Sequence, residues 1–191
     1  MSSGPAIVWL RDDLRLADNP ALQAGLDTGN PVVIVYVLDD TTPGTRTLGS
    51  ALSWWLHHSL TSLSANISAL GGSLILRSGR GSDVIDALVA ETGATAVFWN
   101  RRYGHAKDAD AELKESLRHR GVTCESFAGN LLYEPWTIRT GEGNPFKVFT
   151  PFWRACLASE PPRSPLPAPS SIPAPPSLSS EPLASWNLLP T

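Results

Sequence analysis

Apolar residues recur in five short runs, at 7–10, 32–38, 73–76, 95–99 and 122–127. The second is apolar at nearly every position, as expected of a strand covered on both faces of a sheet. Between the runs, apolar residues fall at helical spacing. A first helix is predicted over 20–29, capped by Asp18 or Asn19, with Pro20 at the first helical position where its missing N–H costs nothing. A second, over 48–70, carries the stripe Leu48, Leu52, Leu56, Leu60, Leu63, Ile67 and Leu70 and is stopped by Gly71 and Gly72. A third starts at Ser82 as N-cap and ends at Gly93. The fourth, over 106–120, repeats Ala109, Leu113 and Leu117, with Asp108 and Asp110 near its start and Arg118, His119 and Arg120 at its end to suit the helix dipole. Strand, helix, strand occurs four times. The fold class is therefore α/β: a Rossmann-like, doubly wound, five-stranded parallel sheet with helices on both faces.

The abrupt change from buried strand to charge after Leu10 (Arg11, Asp12, Asp13, Arg15) suits either a solvated turn with a salt bridge or a ligand crevice. Winding in the order 3-2-1-4-5 places the crevice where the direction of winding reverses, between strands one and four. It then lies between the turn at Arg11 and the turn at Asn100, Arg101, Arg102 and Tyr103, with Asp39 and Asp40 nearby. Arginines, carboxylates, a carboxamide and a phenol suit a planar, polar, partly anionic ligand, because guanidinium groups stack on rings and clamp oxyanions. No nucleophile–base pair, metal cluster or general-base histidine accompanies them. The chemistry reads as binding. The turn from Ser78 to Gly81 could hold phosphate on a helix N-terminus, but it matches neither GxGxxG nor the P-loop and reads first as a tight turn. Trp54 and Trp55 flank the second helix's stripe and are expected to pack against sheet or loops; His57 and His58 read as helix surface.

The 191 residues carry a net charge of −3, without the basic excess of a stand-alone nucleic-acid binder. Two cysteines, Cys124 and Cys156, are too few for a disulfide framework and lack metal spacing. With no signal-peptide pattern at the start and no apolar run of membrane length, a cytoplasmic location is expected, without membrane or metal. Ten of the 17 prolines lie in 161–191, beside only two charged residues, Arg163 and Glu181. That composition predicts an extended polyproline-type connector.

RDDLRLADNPAL after the first strand, GSALSWWLHHSLTSL in the second helix, NRRY after the fourth strand and NPFKVFTPFWRACL after the fifth occur in order across essentially the whole chain. Together they resemble the amino-terminal half of the DNA photolyase/cryptochrome family. The resemblance implies an antenna-binding α/β domain over 1–130 and a connector over 131–191, aromatic and then Pro/Ser-rich. It further implies an FAD-binding helical domain beyond Thr191, absent here, through which damaged DNA and FAD are bound and a light-excited flavin splits pyrimidine dimers. None of the seven tryptophans belongs to that domain's electron relay. The implied antenna is a folate, a deazaflavin or FMN. The turn after strand four has no acid before Asp108, which departs from the pattern of folate-binding members. By position the antenna contacts are Arg11, Asp39, Asn100, Arg101 and Arg102. A cryptochrome photoreceptor domain is the alternative, and a free-standing nucleotide-binding module a lesser one. The aromatics from Tyr133 to Trp153, interleaved with Lys147 and Arg154, suit single-strand stacking less well than packing of the connector.

Overall fold

A computed structural model describes residues 4–42, 47–104, 106–174 and 177–190. Positions 43–46, between the second apolar run and the second helix, and His105 of the turn after the fourth strand, lie outside the described residues. Five strands, β1 (Ala6–Leu10), β2 (Val32–Leu38), β3 (Leu74–Ser78), β4 (Ala96–Asn100) and β5 (Thr123–Phe127), form one parallel sheet in the order β3-β2-β1-β4-β5. Helices α1 (Pro20–Asp27), α2 (Ser50–Ala69), α3 (Gly81–Thr92) and α4 (Ala106–His119) fill the crossovers. The order and the helical cover match the sequence expectation.

Period-two alternation divides the core into two layers. On β1, Ala6, Val8 and Leu10 face α1 and α2, packing with Leu22, Leu60, Leu63 and Ile67. Ile7 and Trp9 face α3 and α4, packing with Ile85, Leu88, Leu113 and Leu117. All five β1 side chains are buried, which explains why the run shows no polar alternation. Asn19 caps α1, its Oδ1 accepting the Leu22 N–H at 3.1 Å.

Two local expectations are corrected. The third helix begins at Gly81 with Arg80 as N-cap, two residues before the expected N-cap Ser82. In α2 only Leu56, Leu60, Leu63 and Ile67 of the stripe are buried. The 20-residue helix is about 30 Å long, whereas a strand of 5 to 7 residues spans about 17–23 Å. Its first turns therefore overhang the sheet. They leave Leu52, Trp54 and Trp55 outside the core, at 61, 46 and 67 % exposure, whereas the tryptophans were expected to be covered by sheet or loops.

After β5 the chain forms a further helix, α5 (Phe149–Ala158), and then a proline-rich strap. The strap is extended, as composition predicts, but it is docked. Its first clasp is at Asp18, whose backbone N–H donates to Leu166 O at 2.8 Å and whose carboxylate accepts from Arg163 at 2.6 Å. The buried Ile172 enters the α1/α2 layer, with its N–H on Leu70 O, and Pro173 O accepts the Val32 N–H. Leu178 then packs on the opposite layer, so the strap passes around the β3 edge. There Glu181 N–H donates to Leu76 O, and Ser180 Oγ accepts the Leu76 N–H. Covering a sheet edge in this way removes a template for pairing with another chain. A 3₁₀ turn (Leu183–Trp186) brings Trp186 to 6.1 Å from the Tyr36 ring.

Candidate functional site

At the carboxyl ends of β1 and β4 the predicted crevice is filled by its own side chains. Arg11 is 7 % exposed and lies between the Trp9 ring, 4.5 Å from its guanidinium carbon, and the Asp110 carboxylate, to which it donates at 2.9 Å. Its other terminal nitrogen donates to the backbone carbonyl of Asn100, tying β1 to β4. Burial pulls the Arg11 pKa down to about 10, against the opposing pull of Asp110. Asn100 is spent in the same way. Its amide donates to Asp13 at 2.5 Å and to Asn19 at 2.8 Å, and its carbonyl oxygen accepts the Ala21 N–H at 3.3 Å. Asp13 also accepts the Arg11 N–H at 2.8 Å. These groups join the β1 turn, the start of α1 and the end of β4 into one buried polar knot. A Cβ on Gly129 would come within 2.4 Å of Asn100, so the chain after β5 closes over it.

Asp39 stands apart, at the end of β2. Its carboxylate accepts from the N–H groups of Thr41 and Thr42 and from the Gly81 N–H at 2.8 Å, clamping the β2 turn to the start of α3. Burial opposes its ionisation, but those hydrogen bonds outweigh it and hold the carboxyl below its ordinary range. Donors of the turn before α3 are thus already taken: Gly81 N–H by Asp39, Ser78 N–H and hydroxyl by Glu181, and Gly79 N–H by Leu38 O.

Arg101 and Arg102 face outward, into a cleft of about 210 Å³ between the β4 turn, α4 and the loop at 134–136. Trp99 and Trp136 supply aromatic wall, and Arg101, Arg102, Lys107 and Lys114 outnumber Asp110 as charges in its lining. Arg102 donates to Asp110 at 2.6 Å and lies 5.3 Å from the Trp9 ring centre. Arg101 pairs with Glu134 at 2.8 Å, and its guanidinium carbon is 5.7 Å from the Trp136 ring centre. The Tyr103 hydroxyl also meets Glu134, at 3.0 Å; burial first and Glu134 second push its pKa up. Burial, with Arg118 nearby, pushes the Lys114 pKa down. Behind this cleft the indole N–H of Trp9 and the Nε–H of Arg11 are buried donors with no acceptor among the described residues.

Of the five residues named from sequence, Arg101 and Arg102 border one cleft, Arg11 and Asn100 brace its rear wall, and Asp39 belongs to a neighbouring clamp. Glu134 and Trp136 were not anticipated, since no local pattern places residues 33 or more positions after Arg101 beside it. Asp110 was read as a dipole residue but serves as the shared acceptor for two arginines. Among the described residues no group of His, Cys, Asp and Glu could hold a metal ion, and no helix is long and apolar enough to cross a membrane.

The DNA photolyase family model matches residues 6–171. The chain is 46 % identical along its whole length to the deoxyribodipyrimidine photo-lyase of Agrobacterium fabrum, of which it covers 40 %. Over 88 % of its length it is 38 % identical to cryptochrome-1 of Arabidopsis thaliana, covering 25 % of that protein. The crystal structure of a bacterial class III photolyase from Agrobacterium tumefaciens superposes on all of it with a TM-score of 0.93 at 45 % identity, and the chain spans 39 % of that structure.

Proposed function

This chain belongs to the DNA photolyase family, and from that premise we propose that it is the light-harvesting amino-terminal domain of a deoxyribodipyrimidine photo-lyase. The observation that carries the reading is the cleft beside Arg101 and Arg102. Indole walls and an excess of cations suit a planar chromophore bearing carboxylate or phosphate, by stacking and by charge attraction. Folate, deazaflavin and FMN all meet that description, and such a group, when bound, supplies absorption of blue light. The residues of this chain supply orientation: Arg101 and Arg102 are held by Glu134 and Asp110, so their guanidinium planes are fixed before any ligand arrives.

At about 210 Å³ the cleft is smaller than the roughly 300–1,000 Å³ of pockets that enclose a whole drug-sized ligand. It seats part of a chromophore, and a second surface completes the site. In the relatives the chain continues well beyond the matched region, and FAD binding, damaged-DNA binding and dimer splitting are assigned to that further part. The 191 residues alone should therefore repair no dimers. Joined to the remaining part of the Agrobacterium photolyase, they should support blue-light repair. Flavin photoreduction in that fusion without any repair would favour the cryptochrome reading, which the identity to the Arabidopsis protein supports. The nucleotide-module reading is weakened by the Ser78–Gly81 turn, where the N–H groups of Ser78, Gly79 and Gly81 are already bonded to Glu181, Leu38 O and Asp39.

A further inference from the structure

Arg101, Arg102, Lys107 and Lys114 all line the chromophore cleft, but they are not equivalent. Arg101 donates to Glu134 from Nε at 3.1 Å and from one terminal nitrogen at 2.8 Å, and its other terminal nitrogen donates to Ser126 O at 2.6 Å. Arg102 grips Asp110 through Nε at 3.4 Å and a terminal nitrogen at 2.6 Å. An oxyanion set against either guanidinium would lie beside a carboxylate, and like charges repel at that range. The two lysines, both on α4, are different. Lys114 Nζ donates at 3.1 Å to a neutral group, the Ser126 hydroxyl, and the Lys107 side chain is exposed. Among the described residues neither ammonium pairs with a carboxylate. Seven positions apart, they stand two turns from one another on one face of the helix, about 10 Å along its axis. Burial first, and Arg118 next, disfavour the charged form of Lys114; an anion beside it acts in the opposite sense.

We infer that Lys114 and Lys107 form the subsite for the anionic group of the chromophore, a carboxylate or a phosphate, with Lys114 as its principal anchor. The inference rests on the chromophore reading above and adds which end of the cleft takes the charge. Three observations select these residues. Both arginines already carry acids, so the unpaired positive charge of the cleft lies on α4. The Ser126 hydroxyl takes one N–H of the Lys114 ammonium, which leaves two donors for a ligand. An ammonium acts on an oxyanion as a point charge and needs no bidentate geometry, so it accepts a carboxylate and a phosphate alike. The ring of the chromophore is then left to the indole walls of Trp99 and Trp136.

The test is a titration of the purified chain with two pairs of ligands that differ only in charge. FMN is compared with riboflavin, which has the same ring without the phosphate. Methenyltetrahydrofolate is compared with the diamide of its glutamate carboxylates. In at least one pair the charged member should bind about tenfold more tightly, as expected for a charge-assisted hydrogen bond at a half-exposed site. The pair that shows the preference identifies the anion as phosphate or carboxylate. Lys114→Gln should abolish the preference and leave affinity for the uncharged member unchanged, Lys107→Gln should reduce it, and added salt should narrow it in the native chain. Saturable binding with equal affinity within both pairs would overturn the subsite and leave the chromophore cleft standing. A preference that survives both lysine variants and is lost in Arg101→Ala would assign the anion to that arginine and overturn the inference. Absence of saturable binding by all four ligands would overturn the cleft reading, and the subsite with it. If Lys114→Gln does not fold, Lys107→Gln decides: a reduced preference supports the subsite, and an unchanged one overturns it.

Discussion

Asp110 of α4 accepts from Arg11, the residue after β1, at 2.9 Å across 99 positions of sequence, with both side chains shielded from solvent. The same carboxylate holds Arg102 at 2.6 Å. One acid therefore pairs with two guanidinium groups at the rear of the proposed chromophore cleft. Removing one member of a buried pair costs about 3–5 kcal/mol, because the other charge is stranded. Asp110→Ala strands two cations and should fall at the upper end of that range in urea unfolding. Arg11→Met leaves Asp110 paired with Arg102 and should cost less. An equal loss for both variants would show that Asp110 is not the shared anchor.

A carboxylate at position 100 would face Asp13 where Asn100 now donates at 2.5 Å. Two acids sharing a site raise one another's pKa. A group whose folded pKa is raised loses its stabilising contribution as pH rises through that value. The Asn100→Asp variant should therefore be markedly less stable than the native chain at pH 7 and recover part of the difference near pH 4. Thermal unfolding at the two pH values checks this; a pH-independent difference would contradict it.

The strap has the opposite sign. Burial opposes ionisation of Glu181, but hydrogen bonds from Trp186 and Ser78 outweigh it and lower its pKa, and the hydrogen bond from Arg163 lowers that of Asp18. Carboxylates with lowered folded pKa stabilise above their ordinary range, and that contribution is lost as pH falls through the folded value. Docking of the strap should weaken below about pH 4, seen as a change in Trp186 fluorescence. At neutral pH, Glu181→Gln should speed proteolytic cleavage between 173 and 182 severalfold.

Ile172 is 2 % exposed and rests on Gly72, where an added Cβ would come within 2.8 Å of it. Ile172→Ala should cost about 2–5 kcal/mol, as expected for a buried aliphatic. A loss below about 0.5 kcal/mol, the range of an ordinary surface change, would mean that the strap is not part of the folded domain.

Strand order, crossover helices and the family were legible because each rests on local pattern: unbroken apolar runs, helical spacing, and motifs kept in order. The cleft was legible only in outline. Position after β4 pointed to Arg101 and Arg102, but whether a charged side chain is free or spent depends on partners distant in sequence. Asn100 and Arg11 were drawn inward by Asp13, Asn19 and Asp110, and Asp39 by the N–H groups of the next helix. The strap illustrates a different limit. Proline content fixes extended backbone, yet it says nothing of where that backbone rests. A few side chains, Ile172, Leu178, Glu181 and Leu188, decide that. Trp54 and Trp55 misled because helical periodicity describes a face and not how far the sheet extends beneath it.

The claim that a chromophore is held in the cleft lined by Trp136, Arg101 and Arg102 is tested most directly by titrating the purified chain with methenyltetrahydrofolate, FMN and a deazaflavin. Tryptophan quenching and chromophore anisotropy report binding. With only one wall of the site present, the account predicts weak, saturable, one-to-one binding of at least one of the three. That binding should weaken about tenfold in Arg101→Ala and in Trp136→Ala, the loss expected for an anchoring arginine or tryptophan. Binding that is unchanged in both variants, or the absence of saturable binding by all three, would contradict it.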